Sequence, residues 1–207
     1  MRSSRALGAL LAAAALTSSV AVRAHEFDEA RRIVIALEGD RLDMVVGYEL
    51  RAGELAEGLR AQFDAGADGR IETPFERLAR RQVVGPRIGR AVRIALDGRP
   101  VRFAMTELAF VDAREADGRA GIAAVARFRA AIDSDATGER RLAVHLRAGA
   151  GTLEAQAGPG WRLASGRAHS SDVAADPRDP VWGPVHLGPG RPAALTFVRA
   201  AQSHAGD

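Results

Sequence analysis

The sequence predicts a mostly β (α+β) protein: an antiparallel β-sandwich, Ig-like, with an inserted helix-loop-helix hairpin. Three observations carry this expectation. Apolar residues recur at every second position through Ile33, Ile35 and Leu37, and again through Leu42, Met44, Val46, Tyr48 and Leu50, the period of a strand with one buried face. The period then changes to four at Leu55, Leu59 and Phe63, which places them on one face of a helix. Beyond the helical region, short alternating runs separated by turn residues fill the chain, a pattern that suits a sandwich.

Taken in order, the first two runs flank Gly39-Asp40 and form a half-buried hairpin. The helix through Leu55, Leu59 and Phe63 has about three turns, and a polar stretch, 64–72, follows it. Thr73-Pro74-Phe75-Glu76 starts a second helix. Thr73 is the N-cap, Pro74 takes the first helical position, and Glu76 reaches back to complete a capping box. Gly85-Pro86 is expected to end this helix near Val84. The insertion spans 53–84 and is expected to stand outside the core, so that a short linker could replace it.

From Arg90 the period returns to two. Val92, Ile94 and Leu96 lead into the Asp97-Gly98-Arg99-Pro100 turn, and Val101, Phe103 and Met105 return from it. Further strands are expected at 121–132, 140–146, 160–164 and 193–199. The stretch 167–189, rich in Ser, Asp, Pro and Gly, reads as a long irregular loop, and 201–207 as a frayed tail. Residues 25–200 make one domain.

The first residues read as a leader for export. Arg2 and Arg5 precede an apolar run, 6–16, and Val22-Arg23-Ala24 presents small side chains where a signal peptidase cuts. Cleavage after Ala24 would make His25 the first mature residue and place the protein in the periplasm or the medium. No later stretch approaches the roughly 20 apolar residues of a spanning helix, so no transmembrane segment is expected in the mature chain. Losing Arg2, Arg5 and Arg23 from the 29 basic residues would leave them balanced against the 26 acidic ones. The high sequence pI of 10.6 therefore does not argue for nucleic acid, because arginines and acids are interspersed without a basic run. With no cysteine, disulfides, thiolate metal sites and a cysteine nucleophile are excluded.

The most specific constellation is the stretch from Phe63 to Glu76. Asp64, Asp68, Glu72 and Glu76 place up to four carboxylates around one turn, and a hard cation needs oxygens from a loop that folds around it. The stretch resembles the calcium loop of the EF-hand family. The resemblance puts Asp64 at the first ligand position, Asp68 at the fifth, Arg70 (through its carbonyl) at the seventh and Glu72 at the ninth. Gly66 supplies no side-chain oxygen at the third position, and Phe75 stands where a bidentate Glu is required, with Glu76 one residue late. Two readings stay open: a weak calcium site built from Asp64, Asp68, Arg70, Glu72 and Glu76, or an Asp-Gly turn joining two helices.

A second constellation centres on His25. A mature N-terminal His offers an α-amine and an imidazole to Cu(II), as in copper-dependent polysaccharide oxygenases, and His145 on an expected strand is the best-placed second ligand. His25-Glu26-Phe27 and the strand-rich body also resemble the periplasmic N-terminal domain of nickel/cobalt-transporter-like accessory proteins. That resemblance implies metal handling and supplies no catalytic residue.

Catalytic signals are thin. Ser165, His169, Ser170, Ser171 and Asp172 crowd one loop with no nucleophile-elbow context. Gly149-Ala150-Gly151 lacks the third glycine of a dinucleotide loop, and Trp161 and Trp182 read as a sugar-stacking platform or as anchors in the core. The expectation is an exported, non-enzymatic protein that binds a partner protein or small ligand and uses either no cofactor or weakly held calcium. The alternative is a periplasmic copper or nickel handling protein.

Overall fold

The structure, a computed structural model, describes residues 29–66, 70–71, 73–111, 113, 119–133, 138–168 and 181–200. The leader, His25, Asp68, Glu72, the His169 to Asp172 group and the tail all lie outside the described residues. Two sheets face each other. The first has six strands and the second has five.

The elements are β1 (Glu29–Glu38), β2 (Arg41–Leu50), α1 (Glu54–Arg60), α2 (Pro74–Ala91), β3 (Val92–Leu96), β4 (Arg99–Pro100) and β5 (Ala104–Val111). They continue as β6 (Ile122–Ala131), β7 (Glu139–Leu146), β8 (Ala150–Ala157), β9 (Trp161–Ala168), β10 (Val181–Leu187) and β11 (Ala193–Arg199). The strand order is β10-β8-β1-β2-β6-β5 in the first sheet and β4-β3-β7-β11-β9 in the second. The β1–β2 hairpin pairs as the alternation predicts, with Leu37 opposite Leu42 and Ile33 opposite Val46. One core joins the inner faces of both sheets, with Ile33, Ile35, Met44 and Leu153 from the first against Val144, Leu163, Leu195 and Phe197 from the second. The mostly β sandwich with a helical insertion is thus what the sequence folds into. The Ig-like part of the expectation is not confirmed: the sheets carry six and five strands, and β1 runs parallel to β8.

Four expectations are corrected. The second helix does not stop at Val84 but runs through Pro86 to Ala91. Val84, Ile88 and Ala91, at i, i+4 and i+7, are all buried in the core, and that burial offsets the backbone hydrogen bond a proline removes. The return from the Asp97-Gly98 turn is only two residues long, since the chain then leaves β4 and enters the first sheet as β5 beside β6. The turn itself has positive φ at both central residues, 51° at Asp97 and 77° at Gly98, which matches the twist of the flanking strands.

The stretch 167–189 also contains a strand, β10, paired with β8. Gly183-Pro184 falls at its bulge, where the register shifts between Trp182 and Val185. Finally, the insertion does not stand outside the core. Ala56, Leu59 and Phe63 on its first arm join Val84 and Ile88 in the main apolar cluster.

The position of α2 explains why. At one side of the sandwich, β9 and β10 approach each other, and a Cβ on Gly166 would lie only 2.3 Å from Trp182. At the other side the edges are β5 and the β3–β4 ribbon, and α2 packs between them. Gly85 lets it approach Met105 and Leu108 of β5, while Gly89 lies against Phe128 of β6. The helix is the fourth wall of the core.

Candidate functional site

The capping box forms as the sequence predicts. Thr73 Oγ1 accepts from the Glu76 backbone N–H at 3.1 Å, and the Glu76 carboxylate accepts from the Thr73 N–H at 3.0 Å. The same carboxylate does more than cap. Its Oε2 also accepts from the Thr73 hydroxyl at 2.9 Å, and its Oε1 accepts from the N–H of Gly66 at 3.4 Å. Glu76 is buried, so it ties the start of the loop to the start of α2 using donors of the chain itself. Asp64 is half-buried just after α1, with its N–H bonded to the Arg60 carbonyl at 2.8 Å, and Arg70 is exposed. Asp64, Glu76 and Arg70 are therefore placed; Asp68 and Glu72 lie outside the described residues.

Of the copper pair, His145 is exposed on β7, opposite Arg93 of β3. Among the described residues no three of His, Asp and Glu form a group that could hold a metal ion. Trp161 and Trp182 are both buried, which rules out a stacking platform. The Trp161 indole N–H donates to the Gly39 carbonyl at 2.9 Å, and its ring lies under Arg199. Gly151 lies in β8 on its ladder with β1 and Gly149 just before that strand; both press on Arg31, and Gly149 also on Glu29.

One cluster escaped the sequence. At the end of the sandwich, Glu29 and Arg31 of β1 point inward beside Tyr48 of β2, and Arg87 reaches them from α2. Glu29 Oε2 meets Arg31 at 3.3 Å; Oε1 accepts from the Tyr48 hydroxyl at 2.9 Å and from Arg87 Nε. Arg31 also donates to the Ala148 carbonyl at 3.1 Å and lies over the Tyr48 ring. Burial pushes the Glu29 carboxyl up, but the Arg87 hydrogen bond, the Arg31 charge and the Tyr48 hydroxyl outweigh it and hold it below its ordinary value. Burial, then the Glu29 charge and its hydrogen bond, push Tyr48 up to about 12. A carboxylate so held is a clamp between sheet and helix, with no tendency to take up a proton at neutral pH. The hairpin register could have found it, since the Gly39-Asp40 turn sets Arg31 opposite Tyr48.

A second charged group lies on the outer face of the first sheet. Asp43 of β2 is nearly covered by Arg129 at 2.8 Å, Arg41 at 3.1 Å and Arg127 at 3.6 Å. On the same outer face Val34 and Val45 are buried, with Val125 packed against them.

The apolar surface is distributed unevenly. Leu55, Phe75, Leu78, Met105 and Val111 are the large apolar side chains that the described residues expose. All five lie on α1, α2 or β5; Val111, opposite Ala123, faces the outside of the first sheet, while Met105 lies against Gly85 of α2. Phe75 and Leu78 protrude most, at 70% and 54% exposed. No protein-family model and no curated protein matches the sequence.

Proposed function

We propose that the chain is an exported, non-enzymatic binding protein whose contact face is the side formed by α1, α2 and β5. The observation that carries this reading is the gathering of the exposed apolar side chains on those three elements. Such side chains scattered singly are ordinary, whereas a protruding pair on one helix turn, Phe75 and Leu78, marks a surface that meets something else. The export half of the reading rests on the leader at 1–24. Within this face the loop 64–76 acts as a turn, and Glu76 fixes it.

Site-specific photo-crosslinking in the intact host tests the reading. A photoreactive phenylalanine analogue at Phe75 should give an adduct, while the same group at Arg162, exposed on β9, should not. Adducts of equal yield at both positions, or at neither, would remove the case for this face.

A further inference from the structure

Three features of the first two turns of α2 point to the same kind of partner. The first is shape. Phe75 and Leu78, three residues apart, stand on one side of the helix and protrude into solvent. They line no cleft. A small ligand or an extended peptide is held in a concave site, whereas a protruding aromatic and leucine pair suits a soft apolar layer that it can enter.

The second is charge. The single acidic residue of α2 is Glu76, which is buried in the capping box, while Arg77, Arg80 and Arg81 follow it in the same two turns. Arg77 and Arg81 are exposed and four residues apart; Arg77 precedes Leu78 and Arg81 follows it by three, so both cations lie along the Leu78 edge of the apolar pair. Burial, then the charges of Arg60 and Arg77, hold Arg80 below the ordinary arginine range, which marks a positive local field. The third is rigidity. Arg81 donates to the Leu108 carbonyl at 3.4 Å, and Arg80 stacks on Phe110 at 3.8 Å, both on β5. The helix therefore presents Phe75 and Leu78 from a fixed wall of the sandwich.

We propose that this turn of α2 is a membrane-docking face that sinks Phe75 and Leu78 into the headgroup boundary of a bilayer bearing anionic lipids, with Arg77 and Arg81 against the phosphates. The proposal rests on the reading of this side as the contact face and names its partner. Apolar insertion and attraction to anionic headgroups add in interfacial binding. Each arginine near such a surface contributes about a fivefold gain in partition, and burial of a phenylalanine at least about tenfold. Attraction of this kind weakens as salt screens it.

The experiment is co-flotation of the mature chain, 25–207, with equimolar phosphatidylglycerol and phosphatidylcholine vesicles, against vesicles of phosphatidylcholine alone. The protein should float with the anionic vesicles only and should be released by high salt. Phe75→Ser with Leu78→Ser should lower partition at least about tenfold, and Arg77→Gln with Arg81→Gln by more than about tenfold. The Phe75→Ser, Leu78→Ser variant should keep the wild-type thermal unfolding curve, because both side chains are exposed, while Arg77→Gln with Arg81→Gln should lower it by no more than the loss of the Arg81 hydrogen bond to Leu108. Absence of flotation, or flotation that neither pair of substitutions reduces, overturns the membrane proposal. If flotation fails while the crosslinker at Phe75 still yields an adduct with a protein of discrete mass, the partner is a protein and the contact-face reading stands alone. If both fail, both readings fall.

Discussion

The Tyr48 hydroxyl donates to Oε1 of Glu29 at 2.9 Å, across the diagonal of the β1–β2 hairpin. This places the chain's one tyrosine against a carboxylate that must stay ionised, and makes its titration a direct reading of the fold. The folded pKa, about 12, lies above the unfolded value near 10. The unfolded chain therefore loses the proton first, and the stability tied to it is whole below about pH 10 and declines between about 10 and 12. Two units correspond to roughly 2–3 kcal/mol. Ultraviolet titration of tyrosinate should show a midpoint near 12 in the folded protein and near 10 in denaturant. Equal midpoints would mean that Tyr48 does not sit against Glu29.

Glu29 makes the opposite prediction at acid pH. Its folded pKa is lowered, so its contribution is present above the unfolded value near 4.3 and is lost as pH falls through the folded value. Glu29→Gln would leave Arg31 buried without its counter-charge and should cost about 3 kcal/mol or more at neutral pH. The acid limb of stability should also flatten in that variant. Denaturant unfolding at several pH values checks both effects.

The insertion should not be dispensable. Ile88 is fully buried among sheet residues, and Ile88→Ala should cost about 2–5 kcal/mol, as large-to-small changes in a core do. A Gly/Ser linker in place of 53–84 would remove Ala56, Leu59, Phe63 and Val84 together and interrupt α2 itself. That protein should show no cooperative unfolding transition by calorimetry. A sharp transition would show that the sandwich closes without its helical wall.

Where the fold was legible, the signal was apolar periodicity with its punctuation: β1, β2, the capping box at Thr73 and the Asp97-Gly98 turn all follow from spacing. Where it was not, tertiary contacts overrode local rules. Pro86 would end an isolated helix, but Val84, Ile88 and Ala91 bury on either side of it. Gly183-Pro184 breaks the alternation of β10, and the bulge restores Val185 and Leu187 to the core. β8 was missed because Gly151, Leu153 and Ala155 carry the alternation with small side chains, although they bury as fully as the larger residues of β1. The Glu29 cluster was hidden because charged residues on an inward face contradict the binary pattern. Arg31, Tyr48 and Arg87 together, the last far along the chain on α2, make that burial tolerable.

Calcium should leave the protein unchanged. Both Glu76 oxygens already accept hydrogen bonds from Thr73 and Gly66, and a cation would have to displace them. A ligand at a hundred times its dissociation constant would stabilise the fold by about 2.7 kcal/mol, which a melting curve resolves easily. The expected result is the same melting temperature in millimolar calcium and in chelator. A rise that Asp64→Ala abolishes would restore the cation loop. Glu76→Ala, by contrast, should lower stability by about 1 kcal/mol whether calcium is present or not, through loss of the cap.

The last prediction concerns the side of the sandwich opposite α2. Gly166 of β9 lies under the indole of Trp182 on β10, and an added Cβ would fall 2.3 Å from Cε2 and 2.4 Å from Nε1. Trp182 is itself buried on an edge strand that joins the first sheet through β8 alone. Gly166→Ala must therefore displace either the indole or the β9 backbone, and overpacking of this kind costs about 1–3 kcal/mol. The strain falls where β9 and β10 hold the two sheets together, so the tryptophan emission of the native state should shift to the red as Trp182 is pushed toward solvent. Alanine at Gly58, which meets no atom within 4 Å, is the matched control and should be neutral or slightly stabilising because it favours α1. If Gly166→Ala matched that control in both stability and emission, Trp182 would not pack on β9, and the closed side of the sandwich would have to be drawn differently.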